Sequence, residues 1–189
     1  MIVRAWQAMR AVADVVLISN DAASDDWLPV RRRADGVRDV GPLGGIVTAL
    51  DWAAEESRPG ALVLGCDMPF IDPEVLRLLL TWARTASPSV DAVVPASKGP
   101  LGFEPLCAYY SVRSAASIRA RITSGDYGVG RLSGVLDMLC VPLDEVRRIG
   151  PPERLFFNVN SLADHERAER LAATTGRDAR VHPSDDGSE

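Results

Sequence analysis

The amino-acid pattern predicts an α/β domain built on a doubly wound, mostly parallel sheet. Short continuous apolar runs of strand length recur at residues 15–18, 61–65, 91–95 and 106–110, and such runs are typical of strands covered on both faces. Segments with apolar residues at helical spacing stand between them. No segment repeats, and alternating strands and helices without repeats point to one layered domain.

Each element follows in order. Residues 2–12 place Val3, Trp6 and Met9 at helical spacing and predict an amphipathic helix entering the strand at 15–18. Ser19-Asn20-Asp21 ends that strand with turn chemistry. Residues 21–35 are polar and read as a loop or short helix. The run Arg31-Arg32-Arg33 within them is either a solvated face or a ligand patch. A short strand is expected over 37–40. The turn Gly41-Pro42-Leu43-Gly44-Gly45 then leads into a helix over 46–56, whose core stripe is Ile46, Ala49, Leu50, Ala53 and Ala54. After the strand at 61–65, Asp72 is the expected N-cap and Pro73 the first helical residue of the next helix. Strands follow at 91–95 and 106–110, helices at 113–123 and 130–138, and strands at 140–143 and 155–160. Ser161 caps a final helix ending near 173, so the domain is 1–173 and the polar tail 174–189 is expected to be disordered.

Composition removes several function classes. The chain has 189 residues, 47% hydrophobic and 25% charged, which suits one domain with a real core. Its net charge of −5 gives no general attraction to nucleic acid or to anionic membrane. No apolar stretch is long enough to span a bilayer. Arg4, Arg10 and Asp14 interrupt the run that a signal peptide needs. Cys66, Cys107 and Cys140 are odd in number and widely spaced, so a reducing, cytoplasmic setting is expected, with the three thiols acting as small buried residues.

Polar groups at the carboxyl ends of strands are where ligands gather in open α/β sheets. Asn20, Asp67 and the pair Asn158 and Asn160 fall there. A carboxylate leaving a buried strand is costly without a partner. A cation such as Mg²⁺, held by one or two carboxylates and substrate phosphates, is one partner; the following turn is the other. Asn158 and Asn160 lie two apart, so in a strand their amides share a face, either reading a ligand or tying down a loop. The Gly41 turn could present N–H groups to an anion. It lacks the lysine and Ser/Thr of a P-loop, and no G-x-G-x-x-G is present. His165 and His182 neighbour no nucleophile motif.

With those residues in view, the chain resembles the molybdenum cofactor guanylyltransferases. The resemblance rests on Gly41-Pro42-Leu43-Gly44-Gly45-Ile46, Cys66-Asp67-Met68-Pro69-Phe70, Glu104-Pro105-Leu106-Cys107-Ala108-Tyr109 and Phe157-Asn158-Val159-Asn160-Ser161. It implies a Rossmann-like nucleotidyltransferase fold and a cytoplasmic enzyme joining GMP from GTP to molybdopterin, with Mg²⁺ and release of pyrophosphate. Asn20 and Asp39 resemble nucleotide-contacting positions, and Asp67 resembles the metal-binding, catalytic aspartate that also touches the nucleotide. Asn158 and Asn160 resemble an N-x-N pair on the molybdopterin side. Molybdenum-insertion proteins and apo-molybdoenzymes are the implied partners.

The family opens with a strand, a glycine-rich loop, an R-M-G segment and a lysine, and these have no counterpart in this sequence. The first strand and its loop are therefore expected to be missing from the sheet, and this chain by itself to be impaired. Three rivals stand beside the guanylyltransferase: a cytidylyltransferase acting on molybdopterin, a non-catalytic paralogue that binds molybdopterin, and a sugar-phosphate nucleotidyltransferase.

Overall fold

The protein is described by a computed structural model over residues 1–20 and 28–178. Residues 1–157 form one compact unit and residues from 158 a second.

In the first unit, helix α1 (Ile2–Arg10) leads to strand β1 (Val16–Ile18), which pairs in parallel with β2 (Arg31–Arg33) in the register Leu17↔Arg32. Helix α2 (Pro42–Glu55) follows. Strands β3 (Gly60–Leu64), β4 (Ala92–Pro95), β5 (Cys107–Ser111) and β6 (Met138–Val141) then build a four-stranded sheet in the order β3-β5-β4-β6. Helix α3 (Pro73–Thr85) joins β3 to β4, and α4 (Ser114–Thr123) follows β5. A 3₁₀ turn (Val129–Gly134) precedes β6, and short helices α5 (Leu143–Arg147) and α6 (Pro152–Leu155) come after it. The second unit carries α7 (Leu162–Asp178).

The pleat sorts side chains to two faces, each covered by helices. Val93 of β4 packs with Val75, Leu76 and Leu79 of α3 and Ala8 of α1. Its neighbours Ala92 and Val94 point the other way, to Leu43, Ile46 and Leu50 of α2 and Ile118 of α4. The sheet is thus doubly wound, as the sequence predicts. At the centre of the second core Tyr110 is fully buried, and its hydroxyl donates to the Pro105 carbonyl at 2.9 Å.

Three of the four strands run one way. The exception is β5, antiparallel to β3 and β4 on either side. A parallel strand needs a crossover of about a dozen residues or more. The 96–106 connection is a loop without a helix, so the chain returns against the grain.

Elsewhere the structure differs from the sequence reading for local reasons. The basic run 31–33 is strand β2: Arg31 pairs with Glu56 (2.7 Å), Arg33 pairs with Glu55 (2.5 Å), and both guanidinium groups lie over the Trp52 ring. Residues 37–40 form no strand. Val37 N–H bonds Asp35 Oδ1 in an Asx turn and Asp39 is left-handed (φ 62°), which breaks extension. The Gly41 turn is already helical, with α2 starting at Pro42, a position whose fixed φ suits a first helical residue. Residues 130–138 split between the 3₁₀ turn and β6, which stops before Pro142 because proline cannot donate to a ladder. Residues 155–160 are not a strand either: Pro152 starts the single turn of α6, which buries Leu155 and Phe156. Helix α7 runs on to Asp178, past the expected boundary at 173. The expected loop at 21–27 and the tail from 179 lie outside the described residues. Of the cysteines only Cys107 is buried, where burial pushes its thiol far up; Cys66 and Cys140 are exposed.

Asp72 caps α3 as expected, its Oδ1 accepting Glu74 N–H at 2.8 Å. Asp72→Ala should cost about 1 kcal/mol, and Leu79→Ala, at a fully buried position, about 2–5 kcal/mol. Urea unfolding of the two variants checks both values and their order.

Candidate active site

Asp67 stands just beyond the carboxyl end of β3. Gly65 N–H donates to the Leu106 carbonyl (2.7 Å), and Met68 N–H then reaches back to the Gly65 carbonyl (3.4 Å), so the chain turns at Cys66-Asp67. Met68 is 1% exposed and anchors the turn, while Asp67 stays half-buried at the crest. The carboxylate lies over Gly65: a Cβ there would come within 2.5 Å of Asp67 Oδ1. Glycine at 65 is therefore what lets the carboxylate rest in this place.

Glu104, to which the sequence reading assigns no role, is the second carboxylate here. Its carboxyl is raised above the usual range, first by burial; the Ser97 hydroxyl works the other way and the charge of Asp67 adds to the rise. The signal for it in the sequence is a glutamate directly before the proline that opens an apolar strand. Three residues past Asp67, the Phe70 ring takes the guanidinium groups of Arg4 at 5.7 Å and Arg154 at 5.6 Å, with Phe157 tilted against it at 6.1 Å. Two positive charges are thus held on one aromatic ring.

Asn20, exposed after β1, uses its Oδ1 to accept Asp35 N–H at 3.0 Å. Asp35 in turn accepts from the buried Thr48 hydroxyl (3.0 Å), and Thr48 Oγ1 accepts Gly36 N–H (2.9 Å). Gly44 is pressed against this network, where a Cβ would sit 2.3 Å from the Val37 carbonyl. The 35–41 loop is thereby locked onto α2. Sequence reasoning missed Asp35 and Thr48, which have no motif spacing to announce them. Asp39 is exposed and left-handed, two residues before Gly41 (φ 63°), which begins α2 without a side-chain cap. The first-turn N–H groups of α2 are therefore not taken up by a capping side chain.

Asn158 and Asn160 belong to the second unit and lie in coil, not in a strand, so a shared strand face does not orient them. Asn158 Oδ1 is buried with no hydrogen-bond partner among the described residues, whereas Asn160 is exposed. Asn160 N–H, Ser161 N–H and the Ser161 hydroxyl all donate to Asp164 Oδ2 (3.2, 3.0 and 2.8 Å), and Asp164 N–H returns to Ser161 Oγ (3.2 Å). This reciprocal cap opens α7. The Ser161 hydroxyl and then the Asn160 N–H hold the Asp164 carboxyl below its usual range.

Among the described residues no cluster of three or more His, Cys, Asp or Glu could cage a metal. The donor set at the crest, Asp67 with Glu104 near it, fits Mg²⁺, which keeps most of its shell for water and phosphate. No helix among the described residues is long and apolar enough to cross a membrane.

In a doubly wound α/β sheet ligands gather outside the carboxyl ends of the strands, and Asp67 stands at such an end. The match to known proteins is narrower: residues 1–141 fit the model of the MobA-like NTP transferase domain, and the chain belongs to that family. It is 30% identical over 168 residues to a probable molybdenum cofactor guanylyltransferase of Methanosarcina mazei, covering 83% of this chain and 71% of that protein. It is 31% identical over 182 residues to a probable molybdenum cofactor guanylyltransferase of Pelotomaculum thermopropionicum, covering 96% and 84%. Among solved structures, molybdopterin-guanine dinucleotide biosynthesis protein A of Archaeoglobus fulgidus superposes with a TM-score of 0.74 at 25% identity, over 92% of this chain and 85% of that one.

The raised carboxyl of Glu104 has a testable sign. Its folded state favours the proton, so its contribution to stability is full below the ordinary glutamate range and is lost as pH rises through the raised value. Glu104→Gln, neutral at every pH, should gain in melting temperature over the parent at pH 7.5 in metal-free buffer. That gain should shrink as the pH falls toward 4. Paired thermal melts across this range read it, and a pH-independent difference would contradict the burial of this carboxyl.

Proposed function

We propose that the protein is a molybdenum cofactor guanylyltransferase, which transfers GMP from GTP to molybdopterin and releases pyrophosphate. The observation that carries the proposal is Asp67, set by Gly65 at the crest of β3 with Glu104 near it, in a chain of the MobA-like NTP transferase family. In the reaction the terminal phosphate of molybdopterin attacks the α-phosphorus of GTP. A P–O bond forms there as the bond to the pyrophosphate oxygen breaks. Mg²⁺, when bound, supplies charge neutralisation on the phosphates.

The protein's own part is positioning and electrostatics. Asp67 would hold the cation at the crest, and Glu104 would add negative charge near it. Arg4 and Arg154 over Phe70 offer positive charge to an anionic substrate in a chain whose net charge is −5. Asn20 ties the 35–41 loop to the end of β1 and Thr48 ties it to α2; on this reading Asp39, in the same loop, accepts hydrogen bonds from a guanine edge. Asn158, with a buried carbonyl oxygen in want of a donor, supports the molybdopterin side of the reading, and Asn160 accompanies it. No side-chain nucleophile is required. The reading places the enzyme in the cytoplasm, with molybdenum-insertion proteins and apo-molybdoenzymes downstream.

Asp67→Asn should lower Mg²⁺-dependent incorporation of labelled GMP into molybdopterin by about 100-fold or more; undiminished turnover would move the metal to another group. Asp39→Ala removes a hydrogen bond to a charged acceptor, worth about 1.5–3 kcal/mol, or roughly 10- to 100-fold. The loss should fall on KM for GTP and on the preference for GTP over CTP, with kcat kept. Equal losses with both nucleotides would show that Asp39 does not read the base.

A further inference from the structure

Strands β3 and β4 run the same way with β5 between them, so their carboxyl ends lie along one edge of the sheet. Asp67 follows Leu64, the last residue of β3, by three positions, and Lys98 follows Pro95, the last of β4, by three. Glu104, just before β5, stands between them. Its carboxylate hydrogen-bonds the Ser97 side chain, and a Cβ on Gly99 would come within 3.2 Å of its Oε1. In strand order the edge therefore reads Asp67, Glu104, Lys98: two carboxylates and then a cation, where ligands of such sheets gather.

The lysine side chain can move where its backbone cannot. Ala96 bridges Phe103, Ser97 N–H donates to the Gly102 carbonyl (2.9 Å), and Gly102 N–H donates to the Gly99 carbonyl (3.0 Å). Gly102 takes the left-handed turn that closes this loop (φ 77°). The ammonium of Lys98 is paired with Glu153 of α6, and the two side chains are 52% and 54% exposed. An ion pair so exposed is weak, and a phosphate can displace one of its partners. Of the chain's 21 lysines and arginines, Lys98 is the one lysine. Arginine is a rigid fork, whereas an ammonium is a compact charge on a flexible stem that follows a phosphate as it arrives.

On the proposed reading, Asn20 and Asp39 serve the nucleotide from β1 and the loop on α2, which lie beside β3. Lys98 lies on the other side of Asp67, past β5. An attacking phosphate monoester must approach there against the charges of Asp67, Glu104 and the nucleotide. We propose that Lys98 receives the terminal phosphate of molybdopterin: its ammonium leaves Glu153 for that phosphate and holds it beside the two carboxylates. Glu153 is the resting counter-ion, which keeps the lysine extended along the edge until the substrate takes it. Arg154, the next residue of α6, stays on the Phe70 ring, so the helical turn itself need not move. The inference rests on the proposed reaction and assigns a residue to its second substrate.

A structural strut and a resting counter-ion predict opposite kinetics. Lys98→Ala should raise KM for molybdopterin by about 10-fold and leave KM for GTP unchanged, and Lys98→Arg should recover most of the loss. Glu153→Gln, which releases the lysine, should lower KM for molybdopterin. An equal rise in Lys98→Ala and Glu153→Gln overturns the inference, because a strut fails alike from either end. Binding is read separately by methylating the amines with ¹³C-formaldehyde, which keeps their charge, and following the Lys98 signal by NMR; its absence from Lys98→Arg assigns it. Molybdopterin should move that signal, and GTP with Mg²⁺ alone should not. A signal unmoved by molybdopterin, or moved by GTP and Mg²⁺ alone, overturns the assignment. A shift in a protein that transfers no GMP upholds Lys98 and sinks the proposed reaction, while GMP transfer with an unmoved signal does the reverse.

Discussion

The antiparallel seating of β5 between β3 and β4 is the constraint on which the rest of this structure depends. Five residue pairs, from Gly60↔Ser111 to Leu64↔Cys107, bind it to β3, and Ala92↔Tyr110 and Val93↔Tyr109 bind it to β4. The approach is close: a Cβ on Gly60 would lie 2.3 Å from the Tyr110 carbonyl and 2.4 Å from the Tyr109 hydroxyl. The same register continues one step past β3, where Gly65 N–H meets the Leu106 carbonyl. That step sets the entry to β5, and with it Glu104, alongside the turn that carries Asp67. The site is in this sense a product of strand pairing before it is a product of side-chain chemistry.

Charge is arranged against the overall sign of the chain. An acidic protein repels polyphosphates at long range, so attraction must be local and short. Arg4 and Arg154 share the attraction of one aromatic ring, Phe70, three residues past Asp67 in sequence. Arg31 and Arg33 are spent differently. Their ion pairs with Glu56 and Glu55 fasten β2 to α2 and give the sheet a charged outer edge, which discourages pairing with other chains.

Much of the fold was legible in the sequence because its signals are local. Asp72-Pro73 announced the start of α3, and the buried runs at 61–65 and 91–95 announced β3 and β4 to within a residue. Asp67 and Asn20 were legible as polar residues at strand ends. The direction of β5 was not, because a strand's pattern does not encode which way it runs; only the lack of a crossover helix hinted at it. Residues 31–33 read as surface because three arginines hide the extended backbone beneath them. Residues 155–160 read as strand because a short apolar run fits a single helical turn equally well. The pairing of Asp35 with Thr48 and of Glu104 with Asp67 links residues far apart in sequence, and no periodicity carries that information.

Of the chain's four tryptophans, Trp52 and Trp82 report on different parts of the fold. The Trp52 indole N–H donates to Glu56 at 2.8 Å and its ring lies under two arginines from β2, 5.1 and 5.6 Å away. Trp82, on α3, packs instead against the core formed by Val75, Leu76, Leu79 and Val93. Emission from Trp52 therefore follows the attachment of the small β1–β2 sheet to α2, and emission from Trp82 follows the four-stranded core. With Trp6 and Trp27 replaced by phenylalanine, loosening of one part ahead of the other would show as two separate fluorescence transitions within a single chain.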